Sequence, residues 1–311
     1  MAQGTLSGEV VLTDLGEALA PVALGEPLTG GQALVDDVVL SADGLLLAAG
    51  GADTDVRVWD LTDPAIPVQV ALLDDPDEMV LGLAFSPQGR VLAAASADNR
   101  VRLFDLDDPA RPVTLAELEV LDSEAYAVSF SPDGRMLAAA ASDAEVVRFD
   151  LADPDDPQRF GAPLAGPTGR IFGLDHSPDG RLLAAAVVDD TTWVWDLDGR
   201  EQPERLAVLG ASSRPSSAVA FAPESRWLVA AGADGQVRRF DLDVETALVA
   251  LCAAAGDPIT EDQWERHVPG REFRAPCEVV AADRGAGRVP TDGLAVHLRR
   301  PEAPPTGGNR S

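Results

Sequence analysis

Two markers that recur in phase along the chain predict an all-β fold, a β-propeller of four-stranded antiparallel blades. The first is an aromatic residue followed by Asp: Trp59-Asp60, Phe104-Asp105, Phe149-Asp150, Trp195-Asp196 and Phe240-Asp241, with the aspartates 45, 45, 46 and 45 residues apart. The second is a turn sequence: Ser41-Ala42-Asp43-Gly44, Ser86-Pro87-Gln88-Gly89, Ser131-Pro132-Asp133-Gly134, Ser177-Pro178-Asp179-Gly180 and the degraded Ala222-Pro223-Glu224-Ser225. Its starts are spaced by the same 45, 45, 46 and 45 residues. Self-similarity at a fixed period marks an array of stacked supersecondary units.

The second unit shows what one repeat contains. Leu81 to Phe85 is an apolar strand a, and Ser86-Pro87-Gln88-Gly89 supplies the dihedrals of a tight turn. Val91 to Ala95 is strand b, Ala97-Asp98-Asn99 the next turn, Val101 to Leu106 strand c, and Val113 to Leu118 strand d. Strands a and b are almost continuously apolar, as in sheets covered on both faces, whereas c and d carry the Arg and Glu of an outer edge. Radial stacking of such sheets satisfies the pattern.

At the N-terminus, Val10 to Leu15 reads as a strand c, with Asp14 lying 46 residues before Asp60, so residues 1–20 are expected to be a partial repeat, an outer-strand remnant. Counting d-a-b-c from Pro21 gives five units over residues 21–243, and the strand near Pro21 to Leu28 is expected to close the last blade beside Val237 to Leu242. Five blades lie within the range that propellers adopt. Beyond them Val244, Leu248, Leu251 and Cys252 fall on one face at helical spacing, which predicts a helical closing segment over 244–278. Residues 279–311, rich in Gly, Pro and Arg, read as a flexible tail.

The run from Leu83 to Leu106, LAFSPQGRVLAAASADNRVRLFDL, resembles a WD40 repeat, and the resemblance recurs over roughly residues 20 to 245. The Asp seven residues before each closing Asp (Asp53, Asp98, Asp143, Asp189, Asp234) matches the family's turn between strands b and c. The Gly-His pair that usually precedes strand a is absent from every unit, so the hydrogen-bond network it joins is not expected, and each blade should depend more on packing. The stretch Ala250 to Cys277 is similar to the closing segment of actinobacterial WD-repeat proteins, in which such propellers often sit behind signalling modules of the STAND type. The resemblance implies a non-enzymatic scaffold that docks partner proteins in signalling or assembly. A fragment of a larger WD-repeat signalling protein is the alternative that the start inside a repeat suggests.

Composition narrows the partners. The formal charge is −28, and a strongly acidic chain repels nucleic-acid phosphates, so no nucleic-acid partner is expected. All 24 basic residues are Arg, the bias of a very GC-rich genome, so a bacterial, actinobacterial source is expected. MAQGTLSGEV has no signal-peptide pattern, and the longest nearly uncharged apolar run, Thr246 to Ala255, is far short of a membrane span. A cytoplasmic protein without membrane contact is the expectation. The two cysteines, Cys252 and Cys277, lack zinc-site spacing; they read as buried thiols or as a pair that cross-links the closing segment.

No catalytic motif, cofactor loop or metal-binding pattern is present, so no catalytic residue, no cofactor and no metal are expected. One place breaks the repeat. Where other units have Ala84-Phe85, Ser129-Phe130 and Ala220-Phe221, the fourth has Asp175-His176, read either as an acid/base or metal pair near the channel or as residues tolerated by a solvated channel. A propeller hydrolase of lactonase or glycosidase type would need such a pair. A second feature points to docking. Four residues before the closing Phe or His of strand a, the units carry Asp36, Leu81, Tyr126, Phe172 and Ser217, and the three large apolar members are neighbours. Leu81, Tyr126 and Phe172, with Asp77, Glu78, Glu124 and Arg170 in the adjoining loops, form the candidate partner-binding arc; the competing reading is that they fill space between blades. Self-association is a further expectation if the ring is incomplete.

Overall fold

The computed structural model describes residues 1–16, 21–29, 31, 33–120, 123–198, 201–210 and 215–243. The 244–278 segment and 279–311 tail, with Cys252 and Cys277, lie outside the described residues.

The described strands form six sheets, all antiparallel. The first contains β1 (Ala2–Gly4), β2 (Glu9–Asp14), β3 (Val22–Ala23) and β4 (Leu28–Thr29), with β2 in the middle. The next four are simple meanders. They are β5 (Val35–Leu40), β6 (Leu46–Gly51), β7 (Val56–Asp60) and β8 (Val68–Leu73); β9 (Val80–Phe85), β10 (Val91–Ser96), β11 (Arg100–Asp105) and β12 (Val113–Glu119); β13 (Ala125–Phe130), β14 (Met136–Ala141), β15 (Val146–Asp150) and β16 (Gln158–Arg159); and β17 (Ile171–His176), β18 (Leu182–Val187), β19 (Thr191–Asp196) and β20 (Glu204–Gly210). The sixth has three described strands, β21 (Ser216–Phe221), β22 (Trp227–Gly232) and β23 (Val237–Asp241).

The N-terminal strand is more than the expected remnant, and the closing strand goes elsewhere. β3 and β4 pair with β2, through Thr13↔Ala23, Asp14↔Val22, Glu9↔Thr29 and Val10↔Leu28, and not with β23. The physical reason is proximity in sequence: β2 lies just upstream, whereas pairing with β23 would close a loop of most of the chain. β1 flanks β2 on its other side, which makes a sixth sheet.

Packing explains the apolar strands. The b strands of the second to fifth sheets are buried almost throughout: Leu92 to Ala95, Leu137 to Ala141 and Leu183 to Val187 are fully inaccessible, whereas β22 of the sixth sheet is only half-buried. The core consists of five apolar layers, one at each join of consecutive sheets, such as Ala93, Val101 and Leu103 against Val128, Phe130 and Leu137. Alanine at the centre of strand b lets the sheets approach closely without voids. Close approach also sets Gly82, where a Cβ would stand 2.6 Å from the Tyr126 carbonyl oxygen of the next blade.

The repeated polar residues are structural. Ser41, Ser131 and Ser177 each donate at 2.6 Å to the Asp two residues on and accept the N–H of the residue five on, which locks the hairpin between strands a and b. The closing Asp60, Asp105, Asp150 and Asp241 accept the N–H two residues later and so end strand c. In three blades the Asp of the b-to-c turn holds an Arg of strand c: Asp53–Arg57 at 2.9 Å, Asp98–Arg102 at 2.6 Å and Asp234–Arg238 at 2.6 Å. In these three blades an ion pair therefore adds to packing; after Asp143 and Asp189 the equivalent position is Val147 and Trp193, and no such pair forms.

The same turns put a residue in the left-handed region in each of the second to sixth sheets: Thr54, Asn99, Ala144, Asp190 and Gly235 have φ of 70, 71, 72, 69 and 71°. Gly adopts this without a Cβ clash, and β-branched Thr54 fits it worst. Thr54→Gly is expected to stabilise the fold by about 1 kcal/mol, raising the melting temperature by about 2–4 °C. A thermal scan showing a lower midpoint would refute the strain.

Candidate functional site

The candidate arc rests on a backbone irregularity. In the second to sixth sheets strand a slips by one residue against strand b: Val35 pairs with Gly51 but Asp37 with Gly50, and the same shift brackets Leu81, Tyr126, Phe172 and Ser217. The skipped residue is a β-bulge, which frees its side chain from the pleat and re-aims it. Asp36, Leu81, Tyr126, Phe172 and Ser217 are thus equivalent bulged residues around the ring. Leu81 and Tyr126 are partly exposed, and Phe172 and Ser217 exposed, so the arc is not buried filling.

Two members meet. The rings of Tyr126 and Phe172 lie 5.9 Å apart at 80°, edge to face, and Arg170 from the loop before β17 stacks its guanidinium 4.5 Å from the Tyr126 centroid and 6.0 Å from that of Phe172. Edge-to-face and cation–π geometry are both favourable to ring quadrupoles. The Tyr126 hydroxyl donates to Glu124 Oε2 at 2.9 Å. Burial and then that carboxylate push the Tyr126 phenol above its ordinary value, so it stays a donor. Leu81 holds the equivalent bulged position in the preceding blade. Asp77 and Glu78 shape the loop before β9. The Asp77 amide donates to Asp98 Oδ2 at 3.2 Å, its largely exposed carboxylate lies 3.8–3.9 Å from Arg102 and Arg100, and the Glu78 carbonyl accepts from Ser96 Oγ. The stacking of Arg170 had no signal in the sequence beyond its place in the loop.

Asp175 and His176 do not form a pair, because neighbours on a strand point to opposite faces. Asp175 Oδ2 accepts the Phe221 N–H of the sixth sheet at 2.7 Å, while His176 turns to the fourth, its N–H donating to Ser129 Oγ at 3.1 Å and its Nδ1 lying 3.0 Å from the same oxygen. Asp37 makes the equivalent tie to the Leu83 N–H at 2.7 Å. These side chains fasten the inner strand of one blade to that of the next. Burial pushes the Asp175 carboxyl up to about 6, against the Phe221 hydrogen bond. Burial, helped by Arg148, pushes the His176 imidazole down to about 4. His176 itself is 6% exposed.

His176 and Arg148 border a cavity of about 340 Å³ with Phe160, Met136, Asp133 and Asp179. Its two carboxylates are already held by Ser131 and Ser177. Among the described residues no group of three or more His, Cys, Asp or Glu side chains could hold a metal ion, and no helix is long and apolar enough to cross a membrane.

Radially joined four-stranded sheets with a ring of bulged residues at one end define a β-propeller with a presented surface. Five segments, 25–60, 68–105, 118–150, 159–196 and 204–241, match the family described as WD domain, G-beta repeat, each running from strand d through a and b to c. They cover more than half of the chain, which belongs to the WD40 repeat family. The first three strands lie outside the matched segments. A comparison with curated proteins finds no match.

Proposed function

We propose that this WD40 propeller is a non-enzymatic docking module that binds a partner protein over the Tyr126–Phe172–Arg170 cluster, with Leu81 extending the contact and Asp77, Glu78 and Glu124 forming its polar rim. The observation that carries the reading is the pair of bulged aromatics, stacked under a guanidinium and left partly open to solvent. Aromatic and Arg anchors within a polar rim are the composition of an interface hot spot. The catalytic reading draws nothing from Asp175 and His176, which tie separate blades. The absence of Lys supports a GC-rich bacterial source.

Phe172→Ser tests this. The side chain is 36% exposed, so the substitution should cost the fold only about 1 kcal/mol, while loss of a hot-spot residue should weaken partner binding by about tenfold or more. Quantitative affinity capture with the parent and the variant, beside thermal melts of both, reads the two effects. Unchanged capture, or a melting point lowered as far as by a core truncation, would show that the cluster is packing.

A further inference from the structure

The join between the fourth and fifth sheets departs from its neighbours at two positions at once. At three other joins, the residue two before the closing Asp of strand c shares an apolar layer with the residue that ends strand a of the next sheet. These pairs are Val58 with Phe85, Leu103 with Phe130 and Val194 with Phe221. Between the fourth and fifth sheets the same two positions hold Arg148 and His176, 4% and 6% exposed. Both residues border the cavity of about 340 Å³, whose apolar walls are Phe160, Met136 and Leu197. The cavity lies beside the hairpins that follow strand a, at the other end of β17 from Phe172 and so away from the aromatic cluster.

The imidazole is held with a donor to spare. Ser129 Oγ accepts the His176 backbone N–H, and its own hydroxyl hydrogen has no other acceptor among the described residues, so it goes to Nδ1, 3.0 Å away. The imidazole proton is therefore on Nε2. Nε2 meets no partner among the described residues, yet it is not sealed from the surface, and the cavity is its opening. Arg148 is fixed beside it, Nη2 donating to the Glu201 carbonyl at 2.6 Å and the guanidinium stacking 5.1 Å from the Phe160 centroid. At the imidazole the Arg148 charge outweighs that of Asp133. The Asp133 and Asp179 carboxylates are engaged by Ser131 and Ser177 and by the N–H groups of Arg135 and Arg181. We propose that the cavity binds a small carboxylic acid, its carboxylate accepting the His176 Nε2–H beside the Arg148 guanidinium and its apolar body lying against Phe160, Met136 and Leu197. Apolar walls with a few convergent polar groups are the usual make-up of a small-molecule site, and this volume is at the small end of the range. A carboxylate suits the donors because a hydrogen bond with an ionised partner is about twice as strong as a neutral one.

The probes are benzoate, 3-phenylpropanoate and octanoate, each beside its neutral primary amide, titrated into the full chain and followed by NMR. At least one carboxylate should bind with a Kd of about 1 mM or below, and about tenfold or more tightly than its amide. Failure of every carboxylate, or equal binding of acid and amide, would overturn the proposal. The double variant Arg148→Leu/His176→Phe restores the residues of the preceding join, Leu103 and Phe130. It should melt no lower than the parent and lose about tenfold or more in affinity, whereas undiminished binding would reject the cavity as the site. If that variant does not fold, a chain with His267→Asn and His297→Asn decides, since His176 is then its only histidine. Its Nε2 resonance should move on adding the carboxylate, and an unmoved resonance would reject the site.

Discussion

Asp98→Ala is expected to destabilise the protein by about 3 kcal/mol, the low end of the cost of stripping a buried ion pair of one partner. The Arg102 side chain is 1% exposed and Asp98 8%, the most buried of the three Asp–Arg pairs, and their 2.6 Å contact is the guanidinium's only short one. Burial pushes the Asp98 carboxyl up, but the Arg102 guanidinium and the Asp77 amide outweigh it and hold the group below the usual carboxylate value. Glu117 and Asp77 stand 3.6 and 3.8 Å from Arg102 and soften the loss. The double variant Asp98→Ala/Arg102→Met should recover most of the stability, since the hydrophobic replacement leaves no orphaned charge. Urea unfolding that places Asp98→Ala within about 0.5 kcal/mol of the parent, the level of an ordinary surface change, would remove this pair from the account of the blade.

The legible part of the fold was local. The 45-residue period, the serine-anchored hairpins and the Asp ending strand c follow from residue types at fixed offsets, because each acts within a few residues of itself. The Asp–Arg spacing of four was also in the sequence, at Asp53/Arg57, Asp98/Arg102 and Asp234/Arg238, and three of the five histidine-free repeats use it. Partner choice was not legible: a strand at residues 22–29 can be recognised from its pattern, but whether it closes on β2 or β23 is decided by loop entropy and by which edge is free. The bulges at Asp36, Leu81, Tyr126, Phe172 and Ser217 were hidden for a similar reason. A register slip is a relation between two strands, and only the slip shows why these residues leave the pleat. The Asp175–His176 reading could have been corrected in advance by the two-residue alternation of strands, which keeps adjacent side chains apart.

That separation gives the two groups opposite pH dependences, which Asp175→Asn should expose. Asp175 ionises at about 6 in the fold against 3.8 for a free carboxyl, so its contribution is fully present below pH 3.8 and is lost as the pH rises through 6. His176 ionises at about 4 against 6.5, so its contribution is fully present above pH 6.5 and is lost as the pH falls through 4. Between pH 4 and 6 the two slopes oppose each other, and these groups together leave the parent nearly flat. In Asp175→Asn the amide oxygen can still accept the Phe221 N–H, but no buried charge forms as the pH rises. The variant should therefore gain about 3 kcal/mol on the parent between pH 4 and 7.5, at about 1.4 kcal/mol per pH unit, starting about 1 kcal/mol below it because the new amide N–H₂ must also find partners and ending about 2 kcal/mol above it. Denaturant midpoints measured from pH 4 to 8 read the difference directly. A gap between variant and parent that does not change with pH, or a variant less stable at pH 7.5, would mean that the Asp175 carboxylate is ionised in the fold at little cost and that its tie to the sixth sheet depends on that charge.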